Sequence, residues 1–145
     1  MTKVKFSLAE LQDLNDIVLL EKACFDYDRY NESQINADLI NEDNLVIVAK
    51  LNNKIVGYVD YKIILDESEL LKICVLDEFR GQGVGTKLLK FSYKHLKGVG
   101  SVFLEVSSNN YKGVNFYKKL GFEQISVRER YYDDGSDAII MKLVL

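Results

Sequence analysis

The run Arg80-Gly81-Gln82-Gly83-Val84-Gly85-Thr86 lies between a stretch of β-formers, Leu70 to Val75, and a helical pattern whose apolar positions are Val84, Leu88, Leu89 and Phe91. Glycines at alternate positions let a chain turn tightly and bring consecutive N–H groups toward one point. There the partial positive end of the helix favours phosphate oxygens. Two familiar phosphate loops fail on counting. A Walker loop and a dinucleotide fingerprint both need a glycine where Thr86 stands. A second chemistry-bearing residue is Glu105, flanked by Leu104 and Val106 in an alternating run. If those apolar neighbours face a core, Glu105 faces the other way, either into a cleft or into water. His95, among lysines near the end of a helical stretch, reads as a surface residue, which argues against a Ser-His-Asp hydrolase. Cys24 and Cys74 lack the paired spacing of a zinc site and read as reduced, semi-buried thiols, with no metal expected.

These residues need strands and helices to hold them. Val4 to Phe6 alternates as a short strand, and Ser7-Leu8-Ala9-Glu10 has the form of a capping box that opens a helix to about Ala23. Cys24 to Tyr30 reads as an aromatic-rich loop able to line a site, and Ser33 to Ile40 as a short helix. Asn52-Asn53 joins strands Leu45 to Leu51 and Ile55 to Leu65 into a hairpin, and Asp66-Glu67-Ser68 turns into the strand Leu70 to Val75. Beyond the glycine loop come a helix ending near Leu96, a strand from Ser101 to Val106, and a helix from Tyr111 to Leu120 closed by Gly121. A strand pair follows, Gln124 to Tyr132 with Ala138 to Val144.

With 145 residues, 48% hydrophobic and 28% charged, the chain is expected to form a single domain over 1–145. A formal net charge of −3 offers no global positive field, so nucleic acid is not expected as a partner. The N-terminus lacks the apolar core of a signal peptide and no apolar run approaches a bilayer span, so no membrane association and a cytoplasmic location are expected.

Arg80-x-x-Gly83-x-Gly85 resembles the Gln/Arg-x-x-Gly-x-Gly/Ala signature of the GNAT superfamily of acyl-CoA-dependent N-acetyltransferases. Leu104-Glu105-Val106, Asn110, Phe116-Tyr117-x-x-Leu120-Gly121-Phe122, Arg128-x-x-Tyr131-Tyr132 and Asp137-Ala138-Ile139-Ile140-Met141 are similar to its RimI branch, bacterial enzymes that acetylate ribosomal-protein N-termini. The resemblance implies an α/β (α+β) fold, a mixed, mostly antiparallel sheet of about seven strands flanked by four helices. It implies acetyl-CoA as co-substrate, with Arg80, Gly81, Gln82, Gly83, Val84, Gly85 and Thr86 on its pyrophosphate. Ile73, Cys74 and Val75 would run along the pantetheine, and Asn110 would bond the pantetheine or the adenylate arm, or merely cap its helix. It further implies direct transfer in a ternary complex, with Glu105 accepting the amine proton through water and Tyr117 protonating the leaving sulfur. Glu69 and Asp60 are reserve candidates for the base. Lys87 or Lys90 would lie near the coenzyme's 3′-phosphate, and Cys74 is not expected to be a covalent nucleophile. Tyr27, Tyr30, Tyr131 and Tyr132 are the expected walls of the acceptor groove, and the expected partner is a protein N-terminus, that of a small-subunit ribosomal protein. Two departures from the branch are Gly113 in place of alanine and Phe25-Asp26-Tyr27 in place of Phe-Pro-Trp. A small-molecule amine acceptor, or a non-catalytic acyl-CoA-binding regulatory module, are the alternatives.

Overall fold

The computed structural model describes residues 3–26 and 28–145. Strand β1 (Lys5–Leu8) leads into a short 3-10 turn and helix α1 (Leu14–Cys24), then helix α2 (Glu32–Ile40). The meander follows as β2 (Asn44–Leu51), β3 (Lys54–Ile64) and β4 (Glu67–Val75). Helix α3 (Val84–Tyr93), β5 (Ser101–Ser107), α4 (Tyr111–Lys119), β6 (Glu123–Arg128) and β7 (Ala138–Val144) complete the chain. The seven strands form one open sheet in the order β1-β2-β3-β4-β5-β7-β6. Where β4 meets β5 the pairing is parallel, with Glu67, Ser68 and Glu69 opposite Ser101, Val102 and Phe103. The α/β architecture with seven strands and four helices agrees with the fold the resemblance implied.

Several boundaries differ from the sequence reading for local reasons. Ser7 does not cap α1. It pairs with Val48 as part of β1, and the helix entry is closed instead by Glu10 N donating to Asp13 Oδ2 at 2.8 Å. Asp13 is buried and takes the Lys50 ammonium at 2.9 Å, which compensates its charge. The β3–β4 turn is tighter than Asp66-Glu67-Ser68, with Leu65 in the left-handed region at φ 57° and β4 already under way at Glu67. Helix α3 ends at Tyr93 rather than near Leu96. Strand β6 stops at Arg128, so Tyr131 and Tyr132 belong to the β6–β7 loop, where Arg130 turns the chain at φ 50°. The Asn52-Asn53 hairpin is as expected, with both residues at positive φ as that turn demands. Asn31 and Gln34 close α2 with a reciprocal pair of 2.8 Å bonds.

The chain divides into two compact units, Met1–Ile63 with Leu70–Lys97, and Ile64–Glu69 with Gly98–Leu145. In the first, Ile17 and Leu20 of α1 and Ile35 of α2 pack with Val46, Val48, Tyr58 and Cys74 of the sheet. Helix α3 covers the other face. Gly57 makes this possible, because a Cβ there would stand 3.0 Å from Cys74 O and 3.2 Å from Leu88 Cδ1. In the second unit Val102, Leu104 and Val106 of β5 are buried with Met141 and Phe122. Gly121 ends α4 at φ 97°, as its expected role requires, and lies against Leu143. Among the described residues no helix is long and apolar enough to cross a membrane.

Candidate functional site

In the first unit the glycine loop is built for backbone presentation. Gly81 and Gly83 have φ of 77° and 81°, and a Cβ on either would meet nothing within 4 Å. Backbone conformation rather than crowding therefore demands glycine, and the space before the loop is open. Gly83 is the N-cap of α3, and the first intrahelical bond is Lys87 N to Gly83 O at 3.0 Å. The N–H groups of Val84, Gly85 and Thr86 thus have no partner within the helix and project from its positive end, a set that fits a pyrophosphate. Arg80 is engaged by local partners. Its Nε donates to Val75 O at 3.1 Å and its guanidinium pairs with Asp77 at 2.9 Å. Gln82 likewise folds back to Glu78 O at 3.0 Å. Both side chains brace the loop. Lys87 and Lys90 are exposed on the next turns.

Ile73 is half-buried on β4 beside the buried Cys74 and Val75. The Cys74 thiol is hydrogen-bonded to Cys24, and that bond together with burial pushes it well above the usual thiol range. A thiol held protonated is a poor nucleophile. Tyr30, on the loop after α1, walls a cavity of about 360 Å³ with Gln34, Asp38, Asn44 and Lys62. Asp60 lies buried behind it and accepts from Asn44 Nδ2 at 3.0 Å. Burial, with the Asp38 carboxyl beside it, pushes Asp60 up to about 8. Tyr27 lies outside the described residues.

In the second unit Glu105 is exposed between the buried Leu104 and Val106, the alternation expected of it. Tyr132 OH donates to Glu105 Oε1 at 2.9 Å, and Tyr131 stacks edge-on to Tyr132 at 5.2 Å between centroids. The loop bearing these tyrosines is fixed to the turn after β5. Ser107 Oγ meets Ser136 Oγ at 2.9 Å, and Asp137 N donates to Ser108 Oγ at 3.0 Å. Glu69 pairs in register with Phe103, so it stands on the same sheet face as Glu105, one diagonal step away. Phe103 and Lys142 share that face, with the ammonium 5.4 Å from the ring.

Helix α4 covers the opposite face, since Gly121 abuts Leu143, the neighbour in β7 of Lys142. Tyr117 sits there, edge-on to Phe116 and Phe122 at 5.3 and 5.7 Å, and burial pushes its phenol up to about 12. Asn110 caps α4, accepting from Gly113 N at 2.9 Å. A Cβ on residue 113 would fall 2.6 Å from Asn110 Nδ2, so glycine there makes room for the cap rather than simply loosening the helix.

A model of the acetyltransferase (GNAT) family matches residues 11–122. The chain belongs to this family. An N-alpha-acetyltransferase of Sulfurisphaera tokodaii is 36% identical over 109 residues, 65% of this chain and 65% of the relative, so the match spans just under two thirds of that protein. The N-alpha-acetyltransferase of Sulfolobus acidocaldarius is 31% identical over 149 residues, 92% of this chain and 88% of the relative. The solved ribosomal-protein-S18-alanine N-acetyltransferase of Escherichia coli superposes with a TM-score of 0.90 at 29% identity, covering 98% of this chain and 94% of that one. For this GNAT chain the sequence reading overlooked the bond from Tyr132 to Glu105 and a buried charged group around Glu21. The second left a trace, a carboxylate at the i+4 position from Ile17 on the apolar face of α1.

Proposed function

We propose that the chain transfers the acetyl group of acetyl-CoA to the N-terminal α-amino group of a protein in the cytoplasm, a small-subunit ribosomal protein being the favoured acceptor. The observation that carries this reading is the arrangement about β5, with Glu105 held by Tyr132 on one sheet face and Tyr117 under α4 on the other. Family membership and relatives named as N-alpha-acetyltransferases support it. The ribosomal acceptor rests on the likeness to the Escherichia coli enzyme.

Acetyl-CoA supplies the activated thioester. The amides of Val84, Gly85 and Thr86 hold its pyrophosphate, with Gly81 and Gly83 giving the turn and Arg80 and Gln82 bracing it. The backbone from Ile73 to Val75 runs beside the pantetheine arm. Asn110 Oδ1 is committed to the helix cap, which leaves its Nδ2 to donate to the same arm. An N-terminal ammonium with a pKa of about 8 is mostly protonated at neutral pH and must lose a proton to become a nucleophile. Tyr132 occupies Glu105 Oε1, so Oε2 is the atom that takes the proton, through a water. Tyr30 in the first unit, and Tyr131 and Tyr132 in the second, are the candidate acceptor-contacting tyrosines.

Tyr117, protonated at neutral pH, donates a hydrogen bond to the departing sulfur. Giving up its proton outright, from about 12 to a thiolate near 8.5, is uphill by roughly 5 kcal/mol, so its first service is to stabilise the thiolate where it forms. Steady-state kinetics of Glu105→Gln test the assignment. Turnover should fall about 10²- to 10⁴-fold with acetyl-CoA affinity unchanged. Unchanged turnover would move the base to Glu69, which shares the sheet face.

A further inference from the structure

Lys72 of β4 carries a charge into the interior, its side chain only 12% exposed, and meets the fully buried Glu21 of α1 at 3.5 Å. Glu21 gathers two more partners. Tyr58 OH donates to its Oε1, and the backbone N–H of Tyr30 donates to its Oε2 at 3.2 Å. The Lys72 ammonium in turn donates to the carbonyl of Asp28 and lies 4.0 Å from the Phe25 ring centroid and 4.6 Å from that of Tyr30. One ammonium and one carboxylate therefore engage Phe25, Asp28 and Tyr30, three residues of the segment between α1 and α2. Among its described residues that segment is neither helix nor strand.

A buried ion pair adds little to stability over apolar replacements, because desolvation offsets its attraction. Its directional bonds do select one conformation of an irregular segment. We propose that Lys72, paired with Glu21, is a positioning residue that sets Phe25, Asp28 and Tyr30 in the form that receives the acceptor, and so governs acceptor affinity rather than the chemical step. The proposal rests on the reading of that loop as an acceptor wall.

Lys72→Met alone would leave Glu21 as an orphan buried charge, so the decisive variant is Lys72→Met combined with Glu21→Gln, which removes the charges as a pair and keeps the volume. With an N-terminal peptide acceptor, the double variant should raise the acceptor KM about tenfold while kcat and the acetyl-CoA KM stay within about twofold. Lys72→Arg, which keeps the cation over both rings, should recover most of that loss. An unchanged acceptor KM, or equal losses in kcat and both KM values, would overturn the proposal.

Amide hydrogen exchange, which needs no acceptor, separates this proposal from the assignment of function. Protection of the Tyr30 amide in the wild type should be lost in the double variant, even if the peptide proves not to be a substrate. Equal protection in both proteins would refute the positioning role whatever the wild type acetylates.

Discussion

Tyr117 and Asp60 are both neutral at pH 7, the phenol as any tyrosine is and the carboxyl because burial raises it to about 8. At Tyr117 the retained proton is the one proposed to be donated to the leaving group. Tyr117→Phe should cut turnover about 10- to 100-fold in single-turnover kinetics while thermal unfolding stays within a few degrees, since the ring still fills the space beside Phe116 and Phe122. At Asp60 the folded chain holds, between about pH 4 and 8, a proton that the unfolded chain has already released. Stability must therefore fall as pH rises through that window. Asp60→Asn cannot ionise and still accepts from Asn44, so it should be about 1–4 kcal/mol more stable than the wild type at pH 9 and little different at pH 5. Urea unfolding at the two pH values checks this, and a wild type equally stable at both contradicts it. Glu105 was legible from its neighbours, because alternation alone put it opposite Leu104 and Val106. The bond from Tyr132 was not, since it joins residues 27 positions apart through a loop whose turn at Arg130 has no sequence signal.

At the level of elements, what the residues announced best was punctuation by glycine and asparagine. The Asn52-Asn53 hairpin, the left-handed Gly83 before α3 and the Gly121 cap after α4 each need a positive φ, and each was readable. Misreadings occurred where a side-chain pattern had two uses. Ser7 fits a capping box, yet the edge pairing of β1 with β2 claims its backbone, and Glu10 with Asp13 makes the cap. Tyr131 and Tyr132 have strand-forming side chains, yet the chain leaves β6 at Arg128 to close a loop pinned by Ser107, Ser108 and Ser136. The contact between α3 and β3 supplies a prediction at this scale. Gly57→Ala drives a methyl to 3.0 Å from a backbone carbonyl and 3.2 Å from Leu88, and should cost about 1–3 kcal/mol as a lowered denaturation midpoint with unchanged m-value. A neutral result would mean that α3 rides further from the sheet.

Across the whole chain, each compact unit carries a different share of the proposed chemistry. The first has the glycine loop, α3 and the Lys72-braced segment, proposed to bind and orient. The second has Glu105, Tyr117 and Tyr132, to which the proposal gives the proton transfers. Family membership was readable because the glycine signature and the β5–α4 stretch are contiguous in sequence. The acceptor was not, because the tyrosines proposed to meet it, Tyr30 and the pair Tyr131 and Tyr132, lie far apart in the chain. The most direct test of the central claim is mass-spectrometric detection of acetyl transfer from acetyl-CoA to two peptides. One carries the free N-terminus of the organism's own small-subunit ribosomal protein. The other has the same sequence with that N-terminus blocked and an internal lysine. Acetylation of the first alone is the expected result. Transfer to the lysine peptide, or to neither peptide while acetyl-CoA binds, would contradict it and point to a side-chain amine, a small-molecule amine or a sensing role.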